Sequence, residues 1–166
     1  MKIYKNGFFL ILIVLLSSTI TSFSQSIESK IRDFARREYP DDVKMQDYVY
    51  KKHRSSYRYM QTVTDLEIEK FAIQEYNEDY SMQQYVYNKQ VASKSYMKTV
   101  TDSEVKKIAV TEYPNDYSMQ QYIYNKQLAA KEYMSKVTNY NAKSKAVREY
   151  PNDYSMQKYI YDKLAY

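Results

Sequence analysis

The sequence predicts an all-α fold of tandem helical hairpins, and three observations support this prediction. A phrase of nine residues recurs every 37 residues, beginning at Glu38, Glu75, Glu112 and Glu149, and a fixed period of this length is typical of repeat arrays. Each period contains two stretches in which apolar residues recur at helical spacing. The phrase between the two stretches contains Pro-Asn or Pro-Asp in three of its four copies, which suits a tight turn. We therefore expect an α-solenoid-like array, with semi-independent hairpins as the looser alternative.

The period also predicts the domain organisation. We expect a signal peptide at residues 1–24, followed by copy one at 25–63, copy two at 64–100, copy three at 101–137 and a partial copy four at 138–166. Because terminal repeats of such arrays often differ from the internal ones, we expect the shortened fourth copy to cap the array.

The first 24 residues have the pattern of a secretory signal peptide. Lys2 and Lys5 precede an apolar run at Phe8–Leu16, and Ser22 and Ser24 occupy the −3 and −1 positions of a cleavage site. The run is shorter than the roughly 20 apolar residues that a membrane-spanning helix needs, so a retained anchor is the second interpretation. The chain has no cysteine for lipid attachment. We therefore expect a bacterial protein that is secreted or periplasmic, with no stable transmembrane anchor after cleavage.

The first helix of each copy is predicted from an apolar stripe. In copy two, Ile68, Phe71 and Ala72 lie three and four residues apart, which places them on one face of a helix. Thr64 and Glu67 form a candidate capping box at the start of this helix, and the same pair recurs one copy later. We therefore expect a short helix that begins after this threonine.

The recurrent phrase predicts a turn between the two helices of a copy. Proline disfavours helical backbone in the residue before it, and the aspartate two residues later can cap the second helix through its carboxylate. In copy two Asn77 replaces the proline, and we expect the turn to form without it. The second helix is predicted from about Asp79 to Lys98. The prolines are Pro40, Pro114 and Pro151, and the aspartates are Asp42, Asp79, Asp116 and Asp153.

The second helix carries two stripes of tyrosine and apolar residues. The stripe with Met82, Tyr85 and Val86 is predicted to be the main apolar face. The opposite stripe has two interpretations, namely packing between neighbouring copies and a ligand-facing row, since tyrosine combines contact area with a hydroxyl that seeks a polar partner. The candidate binding residues are Tyr80, Gln84, Tyr87, Tyr117, Gln121, Tyr124, Tyr154 and Tyr161.

The composition argues against catalytic and metal chemistry. Phosphate-cradling loops and nucleophile elbows depend on glycine, which occurs only at Gly7, and a chain without cysteine has no thiolate metal site. The single histidine, His53, has no partner constellation and is expected to be a solvated or hydrogen-bonded surface residue. The lysine that recurs at Lys52 and its equivalents is expected to form a salt bridge across the turn, or to cover apolar surface with its stem while its charge stays in water, rather than to be a reactive amine. We therefore expect no enzymatic activity, no catalytic residue, no metal site and no cofactor.

The predicted function is that of an exported, non-enzymatic interaction module. Repeated tyrosines would bind a protein or extended peptide, because several weak contacts sum to useful avidity. Removal of Lys2 and Lys5 lowers the formal charge of +5 by two, to +3, which is too mild for nucleic-acid binding. An envelope glycan or cell-wall polymer is the alternative partner, since tyrosine rings can stack on sugar faces and glutamine can bond hydroxyl groups.

Overall fold

Eight helices form in the part of the chain that the structure describes, residues 27–165 of a computed structural model. These residues contain no strand, and the all-α prediction is confirmed. The predicted signal peptide lies outside the described residues. Helix α1 covers residues 27–38. The other helices are α2 (Val43–Met60), α3 (Leu66–Glu75), α4 (Tyr80–Thr99), α5 (Ser103–Glu112), α6 (Tyr117–Lys136), α7 (Tyr140–Glu149) and α8 (Tyr154–Ala165).

Short and long helices alternate along the chain. Helices α3, α5 and α7 have ten residues each, and α4 and α6 have 20 residues each. The predicted range from about Asp79 to Lys98 differs from α4 by one residue at each end. The last long helix, α8, has 12 residues.

An aspartate caps the start of each long helix, as predicted. In α6, Asp116 Oδ1 accepts a hydrogen bond from the Met119 amide at 3.0 Å. The carboxylate satisfies a backbone N–H that has no partner within the helix, and its charge suits the positive end of the helix dipole. Asp42, Asp79 and Asp153 make the same contact three residues on, at 2.9–3.0 Å.

The turn before the long helix forms with or without proline. Tyr76, which precedes Asn77, has φ −138° and ψ 67°. Tyr113, which precedes Pro114, has φ −132° and ψ 73°. The backbone is therefore nearly the same in both turns, and the expectation for copy two is confirmed.

The predicted capping boxes of the short helices are wrong. The N-cap of α5 is Asp102, whose Oδ1 accepts a hydrogen bond from the Val105 amide at 3.0 Å. Thr101 precedes this cap and lies outside the helix, and Asp65 takes the same role one residue after Thr64. Aspartate is the N-cap because its carboxylate is a strong hydrogen-bond acceptor and the residue lies directly before the first helical residue.

The described chain divides into two units between Tyr85 and Val86. In the first unit the predicted stripe of the short helices is buried, with Ile31, Ile68 and Ala72 at 1% exposure or less. In the second unit α5 packs against α6, and both α6 and α7 pack against α8. The second unit has two apolar clusters. One consists of Met97, Val105, Ala109, Ile123 and Tyr124, and the other of Met134, Ala142, Ala146 and Tyr161.

The buried face of a long helix is partly polar. In α6 the buried positions include Gln120 and Gln127 beside Tyr124, Ala130 and Met134. A count of apolar residues along the sequence skips the two glutamines. The buried face of the long helix is therefore predicted wrongly, and the candidate binding residues were chosen from that prediction.

Candidate binding surface

Helices α4, α6 and α8 each carry two tyrosines that lie two residues apart and face opposite ways. Successive residues of a helix are separated by about 100°, so side chains at positions i and i+2 point about 200° apart. In α6, Tyr122 is 58% exposed, whereas Tyr124 is 3% exposed. The pairs Tyr85 with Tyr87 and Tyr159 with Tyr161 show the same alternation. One tyrosine of each pair therefore belongs to the interior and the other faces solvent.

The buried tyrosines hold the loop that precedes a short helix. The hydroxyl oxygen of Tyr124 accepts a hydrogen bond from the Asp102 amide at 3.3 Å, and its ring lies edge-on to that of Tyr96 with 6.4 Å between centroids. Tyr161 accepts the equivalent bond from the Asn139 amide at 3.3 Å. These tyrosines were predicted to contact a partner, but a buried ring offers a partner almost no surface.

A second group of predicted residues contacts the preceding sequence copy. Tyr80, Tyr117 and Tyr154 are half-buried, and each is covered by a side chain from the copy before it. The ring of Tyr57 lies 5.2 Å from that of Tyr80, Lys94 Nζ lies 4.9 Å from the ring of Tyr117, and Lys131 Nζ lies 5.1 Å from the ring of Tyr154. These contacts favour the packing interpretation of the predicted stripe.

Ion pairs fix the lysine that covers Tyr154. Lys131 Nζ donates to Glu104 Oε2 at 2.7 Å and to Asp102 Oδ2 at 2.9 Å. The Glu104 and Asp102 carboxylates raise the pKa of Lys131, and burial followed by the contact with Glu104 raises the pKa of Tyr154. The lysine and the phenol therefore stay in their cationic and neutral forms across the physiological pH range.

The two predicted glutamines, Gln84 and Gln121, are half-buried. None of the eight predicted binding residues is thus among the exposed side chains. Their role in binding stays a prediction, and the structure places three of them in the interior and five at partly covered positions.

The most exposed recurrent aromatic residues are four tyrosines that sequence reasoning did not select. We call them the exposed tyrosine set. Tyr85 belongs to this set, so its predicted place on the main apolar face is wrong. The set consists of Tyr48, Tyr85, Tyr122 and Tyr159, which are 57%, 59%, 58% and 50% exposed.

Internal comparison of the four copies contains the signal that would have found this set. Glutamine occurs at Gln46, Gln83, Gln120 and Gln157, whereas the next residue varies and is lysine at Lys158. An uncharged glutamine that is kept in all four copies beside a variable neighbour is consistent with a buried, hydrogen-bonded role. Once this glutamine is placed in the interior, the tyrosine two residues later must face solvent.

An exposed lysine follows each member of the exposed tyrosine set by four residues. Positions i and i+4 share one face of a helix, and in α8 Lys163 Nζ lies 4.5 Å from the ring centroid of Tyr159. The contact with Tyr159 raises the pKa of Lys163. All four lysines are exposed, as expected for a lysine whose charge stays in water. The lysines are Lys52, Lys89, Lys126 and Lys163.

In the second unit these side chains line a groove of about 400 Å³. Its lining includes Lys126 and Ile123 of α6 and Met156 and Tyr159 of α8. An adjoining cavity of about 540 Å³ shares Glu112, Gln127 and Asp153 with it. The groove lining therefore combines an aromatic ring, apolar side chains and charges of both signs.

Buried glutamines fix the positions of the helices that carry this surface. Gln120 Nε2 donates to the carbonyl oxygens of Tyr113 at 2.7 Å and Pro114 at 3.2 Å. The amide thereby ties the first turn of α6 to the turn before it. Equivalent bonds to the preceding tyrosine carbonyl come from Gln46, Gln83 and Gln157.

A second glutamine joins successive long helices. Gln127 Nε2 donates to Asp153 Oδ1 at 2.9 Å, and the Ser155 amide donates to Gln127 Oε1 at 3.1 Å. Gln90 makes the same two bonds 37 residues earlier, to Asp116 and the Ser118 amide, at 2.7 and 3.1 Å. The side chain thus pairs with both a cap carboxylate and a free backbone donor at the start of the next long helix.

His53 stands at the position of this glutamine in copy one, and it is buried. The prediction of a surface residue is therefore wrong. The reason is the same as for Tyr85, because the position belongs to a buried polar face that the apolar pattern does not reveal.

Within residues 27–165, no group of three or more histidine, cysteine, aspartate or glutamate side chains is placed to hold a metal ion. The helices in that range also lack the combination of length and apolar composition that a membrane span requires. No protein-family model, curated protein or solved structure matches this chain.

Proposed function

We propose that this protein is an exported, non-enzymatic array of helical hairpins that binds a protein or extended peptide through the exposed tyrosine set. The observation that carries the proposal is the near-equal exposure of one tyrosine at the same position of each 37-residue copy, between 50% and 59%. Tyrosine is enriched in protein interfaces because it offers a large, rigid contact area and a polar tip. A recurrent ring in solvent suits such a contact.

Recurrent hydrogen bonds support the array. The contacts of Gln90 and Gln127 with the next long helix are alike in partners and distances. In the second unit, α6 and α8 belong to consecutive copies and pack against each other. Copies that meet through the same contacts present their outer residues at a regular spacing, which is how repeat proteins build extended binding surfaces.

The lysines that follow the exposed tyrosine set suit carboxylate groups on a partner, although Glu112 and Asp153 also line the groove. Each exposed tyrosine is followed by an exposed lysine, and Lys126 and Tyr159 share one groove. Aromatic rings supply contact area, while lysines attract acidic side chains over a distance that salt shortens to about 10 Å at 0.1 M. Several such contacts on one partner would add avidity to a weak individual contact. Binding should therefore weaken as the salt concentration rises.

A capture experiment tests this function. The chain from Gln25 onward serves as bait for envelope and culture-medium fractions, before and after protease treatment of those fractions. We expect capture that protease abolishes and salt weakens. Capture that survives protease would identify a glycan or wall polymer as the partner and overturn the proposal.

A variant in which the four residues of the exposed tyrosine set are changed to serine should lose the captured protein. Tyr140→Ser is the matched control, because Tyr140 is 76% exposed but lies on a short helix outside the set. Circular dichroism should show unchanged helicity in both variants. Equal capture by the fourfold variant and the control would place the binding surface elsewhere.

Export is a separate part of the proposal, and it rests on the sequence pattern of residues 1–24. Mass spectrometry of the protein from periplasm and medium should give a chain that begins at Gln25. A chain that begins at Met1 in the membrane fraction would contradict cleavage.

A further inference from the structure

His53 stands where the later copies use a glutamine to join two long helices. Gln90 and Gln127 each donate to the cap aspartate of the next long helix, at 2.7 and 2.9 Å, and each accepts a backbone N–H at 3.1 Å. The carboxamide suits this place because it has one donor group and one acceptor at the same end of the side chain. At the first junction, between copies one and two, the imidazole of His53 has to make these contacts instead.

The imidazole completes only part of this pattern. His53 Nε2 lies 3.5 Å from Asp79 Oδ1, and Nδ1 is buried without a hydrogen-bond partner among the described residues. The ring packs against Phe34 of α1 with 4.4 Å between centroids, and edge-on to Tyr80 of α4 at 6.5 Å. A neutral imidazole fits this site, because Nε2–H can face the Asp79 carboxylate while Nδ1 carries no proton.

Protonation of His53 destabilises this buried site. A second proton has to go onto Nδ1, which creates a buried N–H donor and a buried charge beside the Phe34 ring. An unpaired buried donor loses the hydrogen bonds that it would make with water, and a buried charge loses its hydration as well. Both penalties disappear when the junction opens.

We infer that His53 makes the junction between copies one and two sensitive to pH, so that acidification loosens α2 from the start of α4. The later junctions use glutamine, which does not titrate, and they lack this sensitivity. The consequence is a chain whose first junction loses stability under mildly acidic conditions that leave the charge of the junction glutamines unchanged.

The charges around His53 determine the direction of this effect. Burial lowers the pKa of His53; Asp79 and Glu38 raise it, and Lys52 of the same helix lowers it, with a net pKa below the ordinary value. Burial also raises the pKa of Tyr80, so this phenol stays neutral. Above about pH 6.5 the imidazole is neutral in both the folded and the unfolded chain. As the pH falls below that value the unfolded chain binds a proton that the folded chain resists, and stability is lost.

The first test is a nuclear magnetic resonance titration of the imidazole Cε1–H signal in the full chain from Gln25 onward. His53 is the only histidine, so the signal needs no assignment. We expect a midpoint below that of the same signal in the urea-unfolded chain. A midpoint equal to or above the unfolded value would overturn the inference.

The second test exchanges the junction residues. His53→Gln should reduce the fall in the thermal unfolding midpoint between about pH 7.5 and about pH 5.5, the range in which histidine titrates. Gln127→His should add such a fall at a junction that lacks it. Unchanged pH dependence in both variants would overturn the inference, even if the variants differ from the wild type in stability at neutral pH.

Discussion

Gln127 shows how one side chain can join two helices. Its amide nitrogen and oxygen bond the Asp153 carboxylate and the Ser155 amide, and the side chain is buried. Buried polar groups are tolerated in proteins when they are hydrogen-bonded, and they are costly when one partner is removed. The stability of the contact between α6 and the start of α8 therefore depends on Gln127, although glutamine is a polar residue.

Replacement of Gln127 by alanine should lower the free energy of unfolding by about 1–3 kcal/mol, since the Asp153 carboxylate and the Ser155 amide each lose a hydrogen-bond partner. Urea unfolding followed by circular dichroism measures this change. Lys126→Ala, at the exposed neighbouring position, should change stability by less than about 0.5 kcal/mol. Equal effects of the two variants would contradict the role of the buried amide.

The tyrosine pair of α6 provides a second prediction at the residue scale. Tyr124→Ala should cost about 3–5 kcal/mol, the range for removal of a buried aromatic ring. Tyr122→Ala should lower the free energy of unfolding by less than about 0.5 kcal/mol, because most of its side chain is exposed to solvent. Chemical unfolding measures the stability of both variants, which carry the same substitution two residues apart. A Tyr124→Ala variant more stable than Tyr122→Ala would refute the assignment of faces.

The cap carboxylate of α6 predicts an acid-sensitive contribution. Burial alone would raise the pKa of Asp116, but hydrogen bonds from the Met119 amide, Gln90 and Ser118 outweigh it and leave the pKa below the ordinary value. The stabilisation is present above about pH 4 and is lost as the pH falls through the lower, folded value. Asp116→Asn keeps a capping oxygen without this titration. A stability profile with the same slope below about pH 4 in both proteins would contradict the prediction.

The recurrent phrase forms a complete structural element at the next scale. It ends a short helix, turns, caps a long helix through aspartate and ties the turn to that helix through glutamine, as Asp116 and Gln120 show. Each contact is made within about seven residues of sequence. This local character explains why the phrase can recur almost unchanged every 37 residues.

Copy two offers a direct test of the turn. Asn77→Pro should raise the free energy of unfolding by about 0.4–1 kcal/mol, because proline restricts the unfolded chain and the native backbone already fits it. The fit is indicated by Gln83, which bonds the carbonyl of Asn77 at 3.1 Å much as Gln120 bonds that of Pro114 at 3.2 Å. Thermal unfolding measures the gain.

The reverse substitution, Pro114→Asn, is the matched control and should lower stability by a similar amount. The turn would be misassigned if Asn77→Pro lowered stability, because a strained proline costs more than the entropy it saves.

At the scale of the whole molecule, the features that were predicted correctly are those that depend only on residues close together in the sequence. The helix order, the cap at Asp116 and the buried stripe with Ile68 and Ala72 follow from local spacing and capping chemistry. These features need no knowledge of what packs against each helix. They were therefore accessible from a single chain.

The face of the long helix was not accessible in this way. Its interior positions include glutamine, and Gln127 is buried because a carboxylate and a backbone amide of the next copy meet it there. Such partners lie 26 to 28 residues away in sequence. An apolar count consequently turned Tyr85 inward and treated His53 as a surface residue.

Covalent labelling of tyrosine tests the central proposal, that α4, α6 and α8 each use one tyrosine for structure and one for binding. Nitration followed by mass spectrometry would be measured in the free chain and in its complex with the captured partner. We expect the exposed tyrosine set to react in the free chain and to be protected in the complex. Tyr140 should react in both states, and Tyr124 and Tyr161 in neither. Rapid labelling of Tyr124 in the free chain, or an exposed tyrosine set that reacts equally with and without the partner, would contradict the account.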